Sequence, residues 1–205
     1  FSLTYIKPPS AIAKGRGFRP SFSMKRLFIV HGISQVGKSE ISRYLQRRFP
    51  GIVEIHPIAS WKRLHEEIYG LEVGSLDTKA GKEYIPKGMN CSMNDLMVRL
   101  YFMMKEVDPY YSSRSIDMEV SKTNAPGIVL LSLRNHAEVD IALKHSKSMN
   151  TMYLHVTRHG VEPISSDLHH DEIHQRLSSE LKCQEVVNNY LTLRELHKEL
   201  DKLCY

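Results

Sequence analysis

The sequence predicts an α/β protein, a three-layer α/β/α sandwich around a mainly parallel sheet of about five strands. Three observations carry that expectation. Short apolar runs rich in β-branched residues recur at 27–30, 51–58, 127–133, 151–156 and 186–187. Helical periodicity fills the intervals between them, as parallel crossovers require. The first run also leads directly into a glycine-spaced loop and then a helix.

That first unit is the most informative. Residues 27–30 (LFIV) have the length and branching of a buried strand. Gly32, Ile33, Ser34, Gln35, Val36, Gly37, Lys38 and Ser39 then satisfy G-x-x-x-x-G-K-S/T, the P-loop pattern. Ile41, Leu45 and Phe49 follow at helical spacing. Gly32 and Gly37 let the backbone wrap a phosphate chain, so that successive N–H groups point inward at the helix N-terminus. Lys38 can reach β- and γ-phosphates, and the Ser39 hydroxyl can ligate Mg²⁺. Glu40, next in line, brings a negative charge to the loop. A nucleoside-triphosphate site is expected, against a strand-turn-helix with incidental glycines.

At 205 residues the chain reads as one domain over 24–205, with an insertion around 70–92 and a basic N-terminal extension over 1–23. The 25% charged and 41% hydrophobic residues exclude a disordered chain, and no apolar run approaches the roughly 18 residues of a membrane span. The net charge of +5 suits a phosphate-rich ligand, or an RNA-rich assembly. Cys91, Cys183 and Cys204 form neither a disulfide framework nor a zinc pattern, so a reducing compartment fits.

Residues 1–23 carry Lys7, Lys14, Arg16 and Arg19 among prolines and glycines, and no acid precedes Glu40. The chain starts with Phe1, and Met24 stands immediately before the first strand. Basic, serine-containing and acid-poor composition is that of organelle-targeting sequence. The segment reads as the mature start of an imported mitochondrial protein whose arm lies on a partner; an expression artefact or an ordinary disordered arm in a cytoplasmic protein is the alternative.

The remaining elements follow in order. After the 51–58 strand, Ser60 is expected to cap a helix whose Trp61, Leu64, His65 and Ile68 share a face, with Lys62 and Arg63 on its solvated side. Residues 70–90, with Gly74, Gly81, Pro86 and Gly88 among Lys79, Lys82 and Lys87, read as either a lid or a peripheral loop. Leu96, Met97, Leu100, Met103 and Met104 form an apolar stripe expected in the core. Asp108-Pro109 starts a further helix towards Val120. Residues 127–133 (GIVLLSL) read as a central strand with Arg134 at its carboxyl end, where parallel sheets present ligand-binding groups. The 151–156 strand precedes Arg158. His169, His170 and His174, near Asp167 and Asp171, fit no defined zinc spacing, so no metal site is assigned there. Residues 191–203 close the chain as an amphipathic helix.

Taken in that order, residues 25–203 resemble the bacteriophage deoxynucleoside monophosphate kinase family of P-loop kinases. The similar features are Ala59-Ser60-Trp61-Lys62 with the basic loop 79–83, the helix running into Asp108-Pro109, Ser132-Leu133-Arg134 followed by Glu138, Arg158 before Ser179-Glu180, and Val186 to the Leu-rich end. The resemblance implies ATP- and Mg²⁺-dependent phosphoryl transfer to a nucleoside monophosphate, with Lys38, Arg134 and Arg158 clamping phosphates. Two positions depart from it: Ser132 stands where the family has an acid, and Glu40 where kinases often have a hydroxyl. Those departures and the basic arm suggest a second reading, a catalytically impaired kinase-like subunit of a mitochondrial assembly such as a ribosome or respiratory complex. A GTPase switch is disfavoured by the lack of an Asn-Lys-x-Asp motif.

Overall fold

The structure is a computed structural model that describes residues 24–163, 169–188 and 192–203. The basic extension assigned to 1–23, together with Asp167, Leu191 and Cys204, lies outside the described residues. The first half of the chain runs β1 (Arg26–His31), α1 (Lys38–Arg48), β2 (Val53–Ile55), α2 (Ala59–Ile68), a 3-10 turn (Ser75–Asp77), α3 (Lys79–Glu83), α4 (Met93–Val107) and α5 (Tyr111–Lys122). The second half runs β3 (Gly127–Leu131), α6 (His136–Ser146), β4 (Asn150–Thr157), α7 (His170–Glu180), β5 (Cys183–Val187) and α8 (Leu193–Leu203).

All five strands pair in parallel, in the order β2-β3-β1-β4-β5. The period-2 alternation of strand side chains sorts the core into two layers. Leu27, Ile29, Ile128, Leu130 and Tyr153 point to one face, where Ile116 of α5, Val139 of α6 and Leu177 of α7 cover them. Phe28, Val30, Val129, Leu154 and Val156 point to the other, covered by Ile41 and Leu45 of α1 and Leu196 and Leu200 of α8. The expected three-layer α/β/α sandwich is the observed architecture. Because β3 and β4 flank β1 on opposite sides, the connections diverge at its carboxyl end and leave a crevice there.

Three local expectations need correction. Ser60 lies inside α2 and not at its cap; Ile58 precedes the helix and no side chain caps it. Helix α2 buries His65 and Glu66, while Leu64 and Ile68 are exposed. The cause is a buried acid: Glu66 Oε1 accepts from the Leu76 amide at 2.9 Å, which turns that face towards the insertion. In α4, Met97 is buried but Met103 is exposed, because the helix packs on the insertion and then runs beyond it.

The insertion is folded, with Leu76, Met93 and Met97 forming a small core of their own. Thr78 caps α3 by accepting from the Gly81 amide at 3.1 Å. Ser92 and Asp95 satisfy each other's backbone at the start of α4, a complete capping box. Such a satellite cluster predicts separable stability. Leu130→Ala, in the central sheet, should cost about 2–5 kcal/mol in urea unfolding. Leu76→Ala should instead accelerate hydrogen exchange across the insertion and α4 with a smaller global loss; equal global losses would show that the insertion does not open by itself.

Candidate functional site

At the end of β1 the backbone turns into the glycine loop by way of two conformations that side chains rarely adopt. Gly32 has φ 152°, and a Cβ there would collide with the Val156 carbonyl oxygen on β4. Gly37 has φ 102°, and a Cβ there would collide with the side-chain amide of Asn188, just after β5. Asn188 Nδ2 donates to the Val36 carbonyl at 2.6 Å, and the fully buried Val36 side chain packs into the core. The loop is thus held between the ends of β4 and β5. Gln35, at φ 69°, completes the bend.

Helix α1 begins with Gly37 as its N-cap and no side-chain cap. The Glu40 and Ile41 amides both turn back to the Gly37 carbonyl, at 3.0 and 3.2 Å. The earlier amides face out at the positive end of the helix dipole, where an anion is stabilised. Lys38 Nζ donates to the carbonyls of Gly32 at 2.7 Å and Ile33 at 2.6 Å, so the ammonium sits across the loop. Ser39 is exposed in the first turn.

Lys38, Gly32 and Ser34 share a pocket with Ser132, Arg134, His31, His169 and His170. Ser132 occupies the left-handed region at φ 57°, with its amide donating to the Val30 carbonyl at 3.2 Å. Strained non-glycine backbone of this kind concentrates at functional sites. The next turn is fixed by Glu138, which is fully buried: Oε2 accepts from the Arg134 amide at 2.6 Å and Oε1 from Asn135 Nδ2 at 3.0 Å. Burial pushes the Glu138 carboxyl up, and its hydrogen bonds to Ser112 and the Arg134 amide oppose that shift. This clamp presents Arg134 to the pocket, with its guanidinium 6.0 Å from the Tyr101 ring centre.

Of the expected residues, Ile33, Gln35, Val36, Gly37, Ser39, Glu40 and Arg158 are not among the described residues that line this pocket. Glu40 turns away from the loop, pairing with Arg43 at 2.7 Å, Arg47 at 3.0 Å and His197 of α8 at 3.2 Å. Its charge is therefore spent between α1 and α8. Arg158 is exposed past the end of β4 and is not among the described residues that line the pocket.

Two further lysines, Lys62 read as solvated surface and Lys82 read on either a lid or a peripheral loop, act with Lys38 and Arg134 on a common neighbour, His56. Lys62 is only 14% exposed and bonds Asp77 at 2.5 Å. Lys82, delivered by α3, has its pKa lowered by burial and by Lys62 and Arg134, against the pull of Asp77. At the end of β2, His56 is held well below the ordinary imidazole value, first by burial and then by Lys62, Arg134, Lys38 and Lys82. The Ile58 amide points at His56 Nδ1 at 3.3 Å, which suits a neutral ring accepting there. Four cations thus converge on one crevice. In the sequence, the lid alternative for 70–90 and the basic loop 79–83 mark Lys82, but neither shows how far the insertion folds back.

No protein-family model and no curated protein matches the chain. Solved structures similar in chain path include a dephospho-CoA kinase from Campylobacter jejuni, 12% identical over 87% of this chain and 96% of that one with a TM-score of 0.44. A gluconokinase from Sinorhizobium meliloti 1021 is 12% identical over 88% and 94%, with a TM-score of 0.43. A shikimate kinase from Bacteroides thetaiotaomicron is 14% identical over 89% and 99%, with a TM-score of 0.40. The class defined here, a parallel sheet with a P-loop after its central strand, rests on the strand order and the loop geometry themselves.

The His56 environment sets a pH dependence. A histidine whose folded pKa is depressed binds fewer protons in the fold than in the unfolded chain, so stability falls as pH drops through the ordinary value near 6.5. Thermal unfolding between about pH 7 and 5 should show this loss, and His56→Gln should flatten the slope. Inorganic phosphate, by screening the four cations, should protect the wild type more at the acid end; equal protection at both ends would contradict the cluster.

Proposed function

We propose that the protein is a P-loop kinase that transfers the γ-phosphoryl group of ATP to a (deoxy)nucleoside monophosphate. The observation that carries this reading is two anion-attracting sites in one crevice: Lys38 with the uncapped N-terminus of α1, and Lys62 with Lys82 from the insertion. Arg134 belongs to both, since it lines the loop pocket and acts on Lys82. A donor and an acceptor that both carry phosphates need such a pair.

The residues fit ATP. Lys38 now bonds two loop carbonyls, and a triphosphate would compete for that ammonium while the α1 amides bind its oxygens. For Mg²⁺ the chain offers the Ser39 hydroxyl, exposed in the first turn of α1 beside Lys38, while the pocket itself has Ser132 and no carboxylate among its described lining residues. The ion would then be held mainly by phosphate oxygens and water, as Mg²⁺ tolerates. Bound MgATP supplies the transferring phosphoryl group; the chain supplies charge and alignment. Lys38 and Arg134 neutralise the negative charge on the transferring group, and Lys62 and Lys82 hold the acceptor's own phosphate. The nucleoside monophosphate as acceptor follows the resemblance to the bacteriophage deoxynucleoside monophosphate kinases.

Ser132 favours a second reading. With a hydroxyl where that resemblance expects an acid, the site would bind ATP and turn over poorly, as in a kinase-like subunit of a larger mitochondrial assembly. Docking through residues 1–23 and a mitochondrial location belong to this reading.

Calorimetric titration separates the two anion sites. Lys38→Ala should weaken ATP binding by about tenfold or more, the loss of a charge-assisted contact. Lys82→Ala should weaken a nucleoside monophosphate comparably and leave ATP nearly unchanged. ATP affinity indifferent to Lys38, or lost equally in both variants, would contradict the assignment.

A further inference from the structure

A second cluster of chemistry lies beside the phosphate loop, on the face covered by α7. The β4–β5 register sets His155 opposite Glu185, and α7 lays His174 on top of them. The His155 and His174 rings stack with centres 3.7 Å apart. His170 follows at 5.4 Å from His155, and His31 stacks on His170 at 4.6 Å.

His155 Nδ1 lies 2.9 Å from Glu185 Oε2, close to the spacing of two ligand atoms on one ion, and a metal would take the place of the proton they share. His155 is only 7% exposed, yet its Nε2 is buried with no hydrogen-bond partner among the described residues. His31 Nδ1 and His170 Nε2 are in the same condition.

His155, His174 and Glu185 each offer a ligand atom within 4.8 Å of the other two. We propose that these three residues bind one divalent transition-metal ion of the zinc class, with water as the fourth ligand. Two imidazole nitrogens and one carboxylate oxygen suit such an ion, whereas Mg²⁺ takes oxygen ligands. The surrounding groups complete the pattern of a metal centre. The Tyr153 hydroxyl bonds His174 Nδ1 at 2.8 Å, and the Cys183 thiol donates to Glu185 Oε1 at 3.2 Å, so both ligands are oriented from behind. The ion ties α7 to the edge of the sheet. Since His170 begins α7 and lines the phosphate pocket, the clamp sets the position of that wall. The site does not depend on the kinase reading, because no ligand is shared with the Lys38 pocket.

The test is a titration of the metal-free full chain with Co²⁺, followed by displacement with Zn²⁺. The wild type should take up one equivalent, show the intense visible absorption of four-coordinate cobalt, and lose it to zinc. Glu185→Gln, which keeps the side chain's shape, and His174→Ala should each weaken binding by about tenfold or more with unchanged circular dichroism. His136→Ala, at an exposed histidine, and Lys38→Ala should bind as the wild type does. Absence of saturable one-to-one binding in the wild type, or undiminished binding in folded Glu185→Gln and His174→Ala, would overturn the proposal.

Discussion

At Gly32 the chain passes so close to the Val156 carbonyl that even a methyl group has no room, and this approach locks the end of β1 to the end of β4. The rest of the carboxyl edge depends on it. With the loop pressed onto β4, Val36 can reach the core and Asn188 can hold the Val36 carbonyl from beyond β5. Gly37 is then left to start α1 without a cap, and His31 is brought onto the histidine stack that includes His155. A loop free to lift would lose the α1 amides as an anion site, because their value lies in being aimed before the ligand arrives.

The electrostatics of the crevice follow from the same compactness. Lys62, Lys82 and Arg134 come from α2, α3 and the turn after β3, and none is adjacent to another in sequence. They converge because Glu66 ties the insertion to α2 and Glu138 clamps the backbone of Arg134. Two buried carboxylates, each bonded to a main-chain amide, thus set the geometry of a cationic site without neutralising it. Among the described residues, Asp77 alone pairs with Lys62, from a turn on the insertion. Like charges gathered in a partly desolvated crevice are costly in the fold, and a bound anion relieves that cost.

The layered sheet was legible in the sequence because strand alternation and loop composition are local signals, and buried parallel strands announce themselves as apolar runs. The glycine loop was legible for the same reason. Facing and reach were not. Leu64 and Ile68 have the periodicity of a buried stripe, but the Glu66–Leu76 contact, set by tertiary structure, turns α2 away from it. Glu40 stands beside the P-loop in sequence, yet Arg43, Arg47 and His197 draw it elsewhere. The histidine spacing in α7 says nothing of metal, since His155 and Glu185 lie on two strands that meet only through sheet register.

The proposed transfer of a phosphoryl group between two phosphate-bearing molecules in this crevice is tested most directly by ADP release from the purified protein with ATP, Mg²⁺ and a panel of ribo- and deoxynucleoside monophosphates. Release should depend on the monophosphate, saturate with it, and favour one base. ADP release independent of every monophosphate, or none at all from protein that binds ATP, would contradict it.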